Sequence, residues 1–121
     1  MSDFRFGYKM ETEKAEHLKE LLKEHFTDKI DKHAWLLWCN LTEKPLRRSY
    51  DEIKGIDIEI YSNIYFYLER GNEMYKTDIK SIFKYIDDLE PWVDIDAYIF
   101  DDTYKWLMIF THDDEWLTLG I

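Results

Sequence analysis

Hydrophobic and polar positions repeat along this chain with two different periods, and the period predicts which segments are helices. In residues 12–27 apolar side chains recur at three- and four-residue spacing while Glu and Lys fill the other face. This spacing predicts an amphipathic helix, with Thr12 as its N-cap. A second stripe of the same kind predicts a helix over residues 77–89, which Pro91 prevents from continuing.

The remaining apolar segments predict strands. Residues 56–69 begin with a period of two, in which isoleucines share one face. Residues 33–41 form a short apolar run that fits a buried strand or a helix, because periodicity does not separate the two over so short a length. Near the C-terminus the pattern predicts three strands joined by polar turns into a meander, at residues 94–100, 105–111 and 115–119.

Turns and loops are predicted between these segments. Residues 28–32 and 70–72 are expected to be turns, and residues 44–54 a loop leading into a short helix that Gly55 ends. The predicted strand at 105–111 is apolar on both faces, which is typical of a central strand covered on both sides. Helices supply one cover, and the other is either a second layer of this chain or a partner chain.

These elements predict an α+β fold in one domain over residues 1–121, with an antiparallel sheet, a C-terminal meander and two main packing helices. Seven Phe, nine Tyr and five Trp supply the core, so the few that stay on the surface are interface candidates. The single cysteine, Cys39, excludes an internal disulfide and fits a reducing compartment. With no signal-peptide pattern and no apolar run of membrane-spanning length, we expect a cytoplasmic protein.

The whole net charge of −10 lies in the C-terminal half. Residues 1–54 hold 11 acidic and 11 basic side chains, whereas residues 55–121 hold 15 acidic and 5 basic ones. The acids are densest between Asp87 and Glu115, where aromatic residues are interspersed. Like charges repel and lower the stability of a compact fold, so this surface is either a solvated face or a binding surface for a cationic protein. Binding to nucleic acid or to an anionic membrane is disfavoured.

Catalytic and metal-binding motifs are not evident in the sequence. His112-Asp113 has the form of the His-Asp pair of metal-dependent phosphohydrolases, but the other histidines are all N-terminal and lack ligand spacing. The acidic turns lack the order of a calcium loop, and Ser62 and Ser81 lack a nucleophile-elbow context. We therefore expect a protein that is not an enzyme and that needs no cofactor and no metal.

The segment 94–114 resembles the tail of a group of small acidic bacterial proteins. That tail has the form D-x-Y-I-[FVL]-D-x-x-[FYL]-x-W-x-x-x-x-T-H-[ED], and several proteins of similar layout are immunity proteins of polymorphic or contact-dependent toxins. The resemblance implies a protein that occludes a cognate toxin, and a nuclease domain is the expected target because its substrate groove is basic. The matching residues are Asp96, Tyr98, Ile99, Phe100, Asp101, Tyr104, Trp106, Thr111, His112 and Asp113.

These matching residues also have a structural interpretation, with Trp106 in the core and Thr111-His112 in a turn. The interface is therefore predicted from charge and expected exposure. Other functions compatible with the sequence are a non-catalytic binding module or regulatory subunit, a phage-type inhibitor that mimics DNA, and a small hydrolase with a carboxylate in a pocket. The predicted partner-binding residues are Asp101, Asp102, Asp113, Asp114, Glu115, Asp94, Trp92 and Trp116.

Overall fold

An antiparallel sheet with helices on both faces organises the chain. The structure, a computed structural model, describes residues 7–27, 38, 41–56 and 64–120. Within these residues there are three helices and one seven-stranded sheet, which confirms the predicted α+β class. In chain order the elements are β1 (Tyr8–Lys9), α1 (Thr12–Phe26), β2 (Leu46–Arg48), α2 (Tyr50–Lys54), β3 (Ile64–Leu68), β4 (Glu73–Thr77), α3 (Ile79–Asp87), β5 (Ala97–Asp101), β6 (Leu107–Phe110) and β7 (Trp116–Leu119).

The strand order is β1-β4-β3-β5-β6-β7-β2, with every neighbouring pair antiparallel. The predicted meander is confirmed, because β5, β6 and β7 pair in succession. Residues 46–48 were expected to belong to a loop, and they instead form the edge strand β2 against β7. This segment lacks an alternating pattern, so its pairing with a strand about 70 residues later defines it.

Local capping explains where the two short helices begin and end. The side chain of Asp78 accepts a hydrogen bond from the Ser81 amide at 2.8 Å and so caps α3. Ser49 and Glu52 form a reciprocal capping box at the start of α2, and Gly55 caps its end as predicted.

The predicted N-terminal helix is confirmed as α1, with one correction at its start. Its N-cap is Glu11 rather than Thr12, and no side chain caps this end. Packing of Leu22 and Phe26, both buried, anchors the helix to the sheet. No helix among the described residues has the length and apolar character needed to cross a lipid bilayer.

The core lies in two layers, one on each face of the sheet. Along β6, Met108 and Phe110 belong to the layer shared with α2 and α3, whereas Leu107 and Ile109 belong to the layer shared with α1. All four side chains are buried. The second cover of the central strand is therefore a layer of this chain, α1.

Some predicted segments fall outside the described residues, and two strands besides β2 were not predicted. Residues 28–32 lie outside, as do 57–63 and all of 33–41 except Trp38 and Leu41; the end of predicted strand 56–69 is confirmed as β3. Strands β1 and β4 were not predicted, because neither shows an alternating pattern and β1 has only two residues.

Candidate functional site

The meander separates the acidic residues into two groups. Successive turns of an antiparallel meander lie at opposite ends of the sheet, so Asp101 and Asp102 lie at one end while Asp113 and Asp114 lie at the other. The four-residue strand β6 between the two turns is about 13 Å long. We call these the Asp102 end (residues 101–106) and the His112 end (residues 90–96 and 111–115).

The His112 end gathers most of the predicted partner-binding residues. The connection from α3 enters β5 beside the β6–β7 turn, because Ala97 pairs with Phe110. Glu115 is half-buried and its carboxylate lies 2.9 Å from the guanidinium of Arg47. The predicted residues that are exposed here are Trp92, Asp94, Asp113 and Asp114.

At the Asp102 end, Asp101 has a structural role. Its carboxylate accepts hydrogen bonds from the amide and hydroxyl of Thr103, at 3.0 and 2.5 Å, and from Trp106 Nε1 at 3.1 Å. Asp101 is half-buried rather than fully exposed, and these bonds fix the turn between β5 and β6. Asp102 is the exposed acid of this turn.

The expectation that Trp116 lies on the surface is wrong. Its side chain is 3% exposed, and its ring stacks on Tyr50 with centroids 5.4 Å apart. It also packs against Phe110 at 4.8 Å. Trp116 starts β7, a strand with core layers on both faces, so the ring belongs to the core.

Asp96 forms a buried polar centre at the His112 end that sequence reasoning did not identify. Its side chain is fully buried, and its carboxylate accepts hydrogen bonds from Trp38 Nε1 at 3.0 Å and Arg70 Nε at 3.1 Å. The backbone amide of His112 donates to it at 3.1 Å, and His112 Nδ1 lies 2.9 Å from the same oxygen. One carboxylate thus joins the β3–β4 turn, the β6–β7 turn and Trp38.

These contacts shift the pKa values of Asp96 and His112. Burial alone would raise the pKa of Asp96, but hydrogen bonds from His112, Arg70 and Trp38 outweigh burial and hold the pKa below its ordinary value. The hydrogen bond to Asp96 raises the pKa of His112. The ionised carboxylate is therefore paired with the guanidinium of Arg70, and with a second cation when His112 is protonated, so it is not left as an isolated buried charge.

Tyr98 extends this centre along β5. Its hydroxyl donates to Glu69 Oε1 at 2.5 Å and accepts from the backbone amide of Trp38 at 3.0 Å. Burial raises the pKa of Tyr98, with the nearby charge of Glu69 as the next cause, so the phenol stays protonated and available as a donor. The described residues contain no group of three side chains placed to hold a metal ion.

Residues of the matching tail bond to one another in the fold. Asp96 bonds to His112, Asp101 bonds to Trp106, and Thr111 Oγ1 accepts from the amides of the turn that follows it. These contacts support the structural interpretation of the tail. No family model, no curated protein and no solved structure matches this chain.

Proposed function

We propose that this protein is a non-catalytic inhibitor that binds a cationic protein and, following the resemblance of segment 94–114, that it is an immunity protein which occludes a cognate toxin. One observation carries the proposal: exposed carboxylates are concentrated at the His112 end beside an exposed tryptophan. Asp94 and Asp114 form no ion pair with any described residue. We therefore assign these two exposed charges to the contact with the partner.

A nuclease domain is the target class that suits this surface best. The substrate of a nuclease is a polyanion, so the groove that binds it is basic and complementary to carboxylates. Electrostatic steering raises association rates from about 10⁵–10⁶ to about 10⁸–10⁹ M⁻¹s⁻¹ at low salt. Fast capture matters for an inhibitor that must act before the toxin does damage.

The distribution of the acids argues against DNA mimicry. A DNA mimic needs carboxylates spaced like phosphates along an extended face. Here they fall into groups at two ends of the sheet, about 13 Å apart along β6. A compact contact at one end fits this distribution better.

The proposal is tested by affinity capture from the native host with two charge-reversed variants. Asp94→Lys/Asp113→Lys reverses two exposed acids at the His112 end, while Asp102→Lys/Glu24→Lys makes the same change of net charge elsewhere. Asp114 is left unchanged because its φ of 59° disfavours lysine. We expect the wild type and the control to retain a basic toxin domain that salt releases, and the Asp94/Asp113 variant to lose it.

Binding measurements with the purified partner then show how much the charge reversal changes the affinity. Reversal of two interface charges should weaken the affinity by at least about tenfold, and the association rate of the wild type should fall steeply with salt. Equal affinity of the two variants would refute the placement at the His112 end. Specific recovery of a metabolic enzyme would instead identify a regulatory subunit.

A further inference from the structure

Trp92 is the most exposed large hydrophobic residue among those described. Its exposed fraction is 77%, compared with 62% for Tyr8 and 59% for Leu46. No hydrogen bond or ring contact joins it to another described residue. Because an indole can bury about 150–250 Å², a tryptophan left in water forgoes a large apolar stabilisation that a partner can supply.

The backbone presents this indole on a fixed turn. The amide of Val93 donates to the carbonyl of Glu90 at 3.0 Å, which closes a four-residue turn with Pro91 in its second position. Proline restricts φ there, and Leu89 and Val93 pack against the core on either side. The turn is therefore anchored at both ends, and Trp92 lies in its third position.

The charged residues next to this turn in the sequence are all acidic. Glu90 and Asp94 flank it and are exposed, and residues 85–104 contain no lysine or arginine. The face of an indole attracts cations, and neighbouring carboxylates add to that attraction. A guanidinium fits both features, since its plane stacks on an aromatic ring while its N–H groups reach carboxylates.

We propose that Trp92, Glu90 and Asp94 form a receptor for an arginine side chain of the partner. The guanidinium stacks on the indole of Trp92 and donates hydrogen bonds to the two flanking carboxylates. This inference rests on the proposed function, because it requires a cationic protein partner. The fixed turn lowers the entropy lost on binding, since its conformation is already ordered in the free protein.

Peptide binding tests the receptor without a known partner. The probes are a short Arg-Gly repeat peptide and the same peptide with lysine, titrated at low salt by calorimetry. General charge attraction treats the two alike, whereas stacking favours arginine. We expect the wild type to bind the arginine peptide roughly three- to thirtyfold more tightly. Trp92→Ala should lose this preference, and Trp92→Phe should keep part of it.

Two controls locate the effect. Tyr8→Ala removes the other strongly exposed aromatic residue among those described, on edge strand β1, and should leave the preference unchanged. In the wild type the indole N–H resonance of Trp92 should shift with the arginine peptide, while that of Trp106, held by Asp101, should not. If Trp92→Ala still binds the arginine peptide more tightly than the lysine peptide, or if the wild type binds both peptides equally, the proposed arginine receptor is refuted. Either result remains compatible with a surface that binds cations in general. If the wild type binds neither peptide, the proposed function fails as well.

Discussion

At the scale of single residues, the carboxylate of Asp96 fixes the His112 end of the sheet. It is fully buried and accepts hydrogen bonds from Trp38, Arg70 and His112, which lie on separate segments of the chain. The exposed acids Asp94 and Asp113 are close to Asp96 and His112 in sequence, so their placement depends on this centre. Its integrity is therefore a condition for any interface at this end.

Asp96→Asn should lower the free energy of unfolding by about 2–3 kcal/mol. Hydrogen bonds to a charged acceptor are stronger than those to a neutral one, and the side-chain NH₂ group that replaces one carboxylate oxygen would face hydrogen-bond donors. Urea denaturation measures the change. Asp102→Asn makes the same substitution on an exposed turn and should stay within about 0.5 kcal/mol of the wild type. A similar loss in both variants would contradict the central role of Asp96.

The contribution of His112 to stability should depend on pH. Its hydrogen bond to Asp96 raises its pKa in the folded state, so the folded protein holds the proton more tightly than the unfolded chain. The resulting stabilisation is complete below the unfolded pKa of about 6.5 and is lost as the pH rises through the folded pKa. His112→Gln should therefore cost more stability at about pH 5.5 than at about pH 9.

Urea denaturation at both pH values, in the wild type and in Asp96→Asn, checks this expectation. The pH dependence of the His112→Gln effect should largely disappear in the Asp96→Asn background, because the acceptor charge is gone. A His112→Gln effect of equal size at both pH values would show that the pair does not titrate as proposed.

At the scale of elements, the end of β7 depends on Gly120. Its φ is +74°, and a Cβ built there would lie 2.1 Å from the carbonyl oxygen of Lys105. Gly120→Ala should lower the free energy of unfolding by at least about 2 kcal/mol, from backbone strain and this close contact. In Gly71→Ala the nearest atom is a flexible side-chain atom of Glu73 at 3.4 Å, so this control should change stability by less than about 1 kcal/mol. Thermal or urea unfolding of both variants measures the two changes in stability.

The sequence predicted the elements that carry a long regular pattern. Helices α1 and α3 and the meander follow from apolar periodicity over many residues. Strands β1, β2 and β4 carry no such pattern, and β2 in particular depends on pairing with β7 from far along the chain. Local sequence holds little information about such long-range pairing.

The candidate site was only partly predictable, for two physical reasons. The predicted meander itself implies that Asp101 and Asp113 lie at opposite ends, but closeness in sequence had suggested one cluster. Trp116 is buried in the core layer shared with α2 and α3, where Tyr50 of α2 stacks on its ring, a contact between distant segments that the strand pattern does not reveal. The contact between Asp96 and His112 requires the fold, although both residues belong to the recognised tail.

At the scale of the whole molecule, the fold must tolerate its one-sided charge. Two unit charges about 10 Å apart in water repel by roughly 0.4 kcal/mol, so several acids at one end destabilise the folded state appreciably. Salt screens this repulsion over a Debye length of about 8–10 Å. The free energy of unfolding of the wild type should therefore rise when salt is added.

Charge reversal separates stability from binding. Asp94→Lys/Asp113→Lys removes repulsion among the acids of the His112 end. At low salt and about pH 9, where the attraction between Asp113 and a protonated His112 at 3.8 Å is weakest, it should raise the free energy of unfolding, and this gain should shrink as salt is added. The same variant should lose the cationic partner, whereas Asp102→Lys/Glu24→Lys should keep it. Urea denaturation over a salt series and calorimetric binding give the two quantities. If the variant is more stable and yet no longer binds, the wild-type acids favour binding at the expense of stability. Such a trade-off is typical of a functional surface. Loss of both properties would mean instead that these acids support the fold.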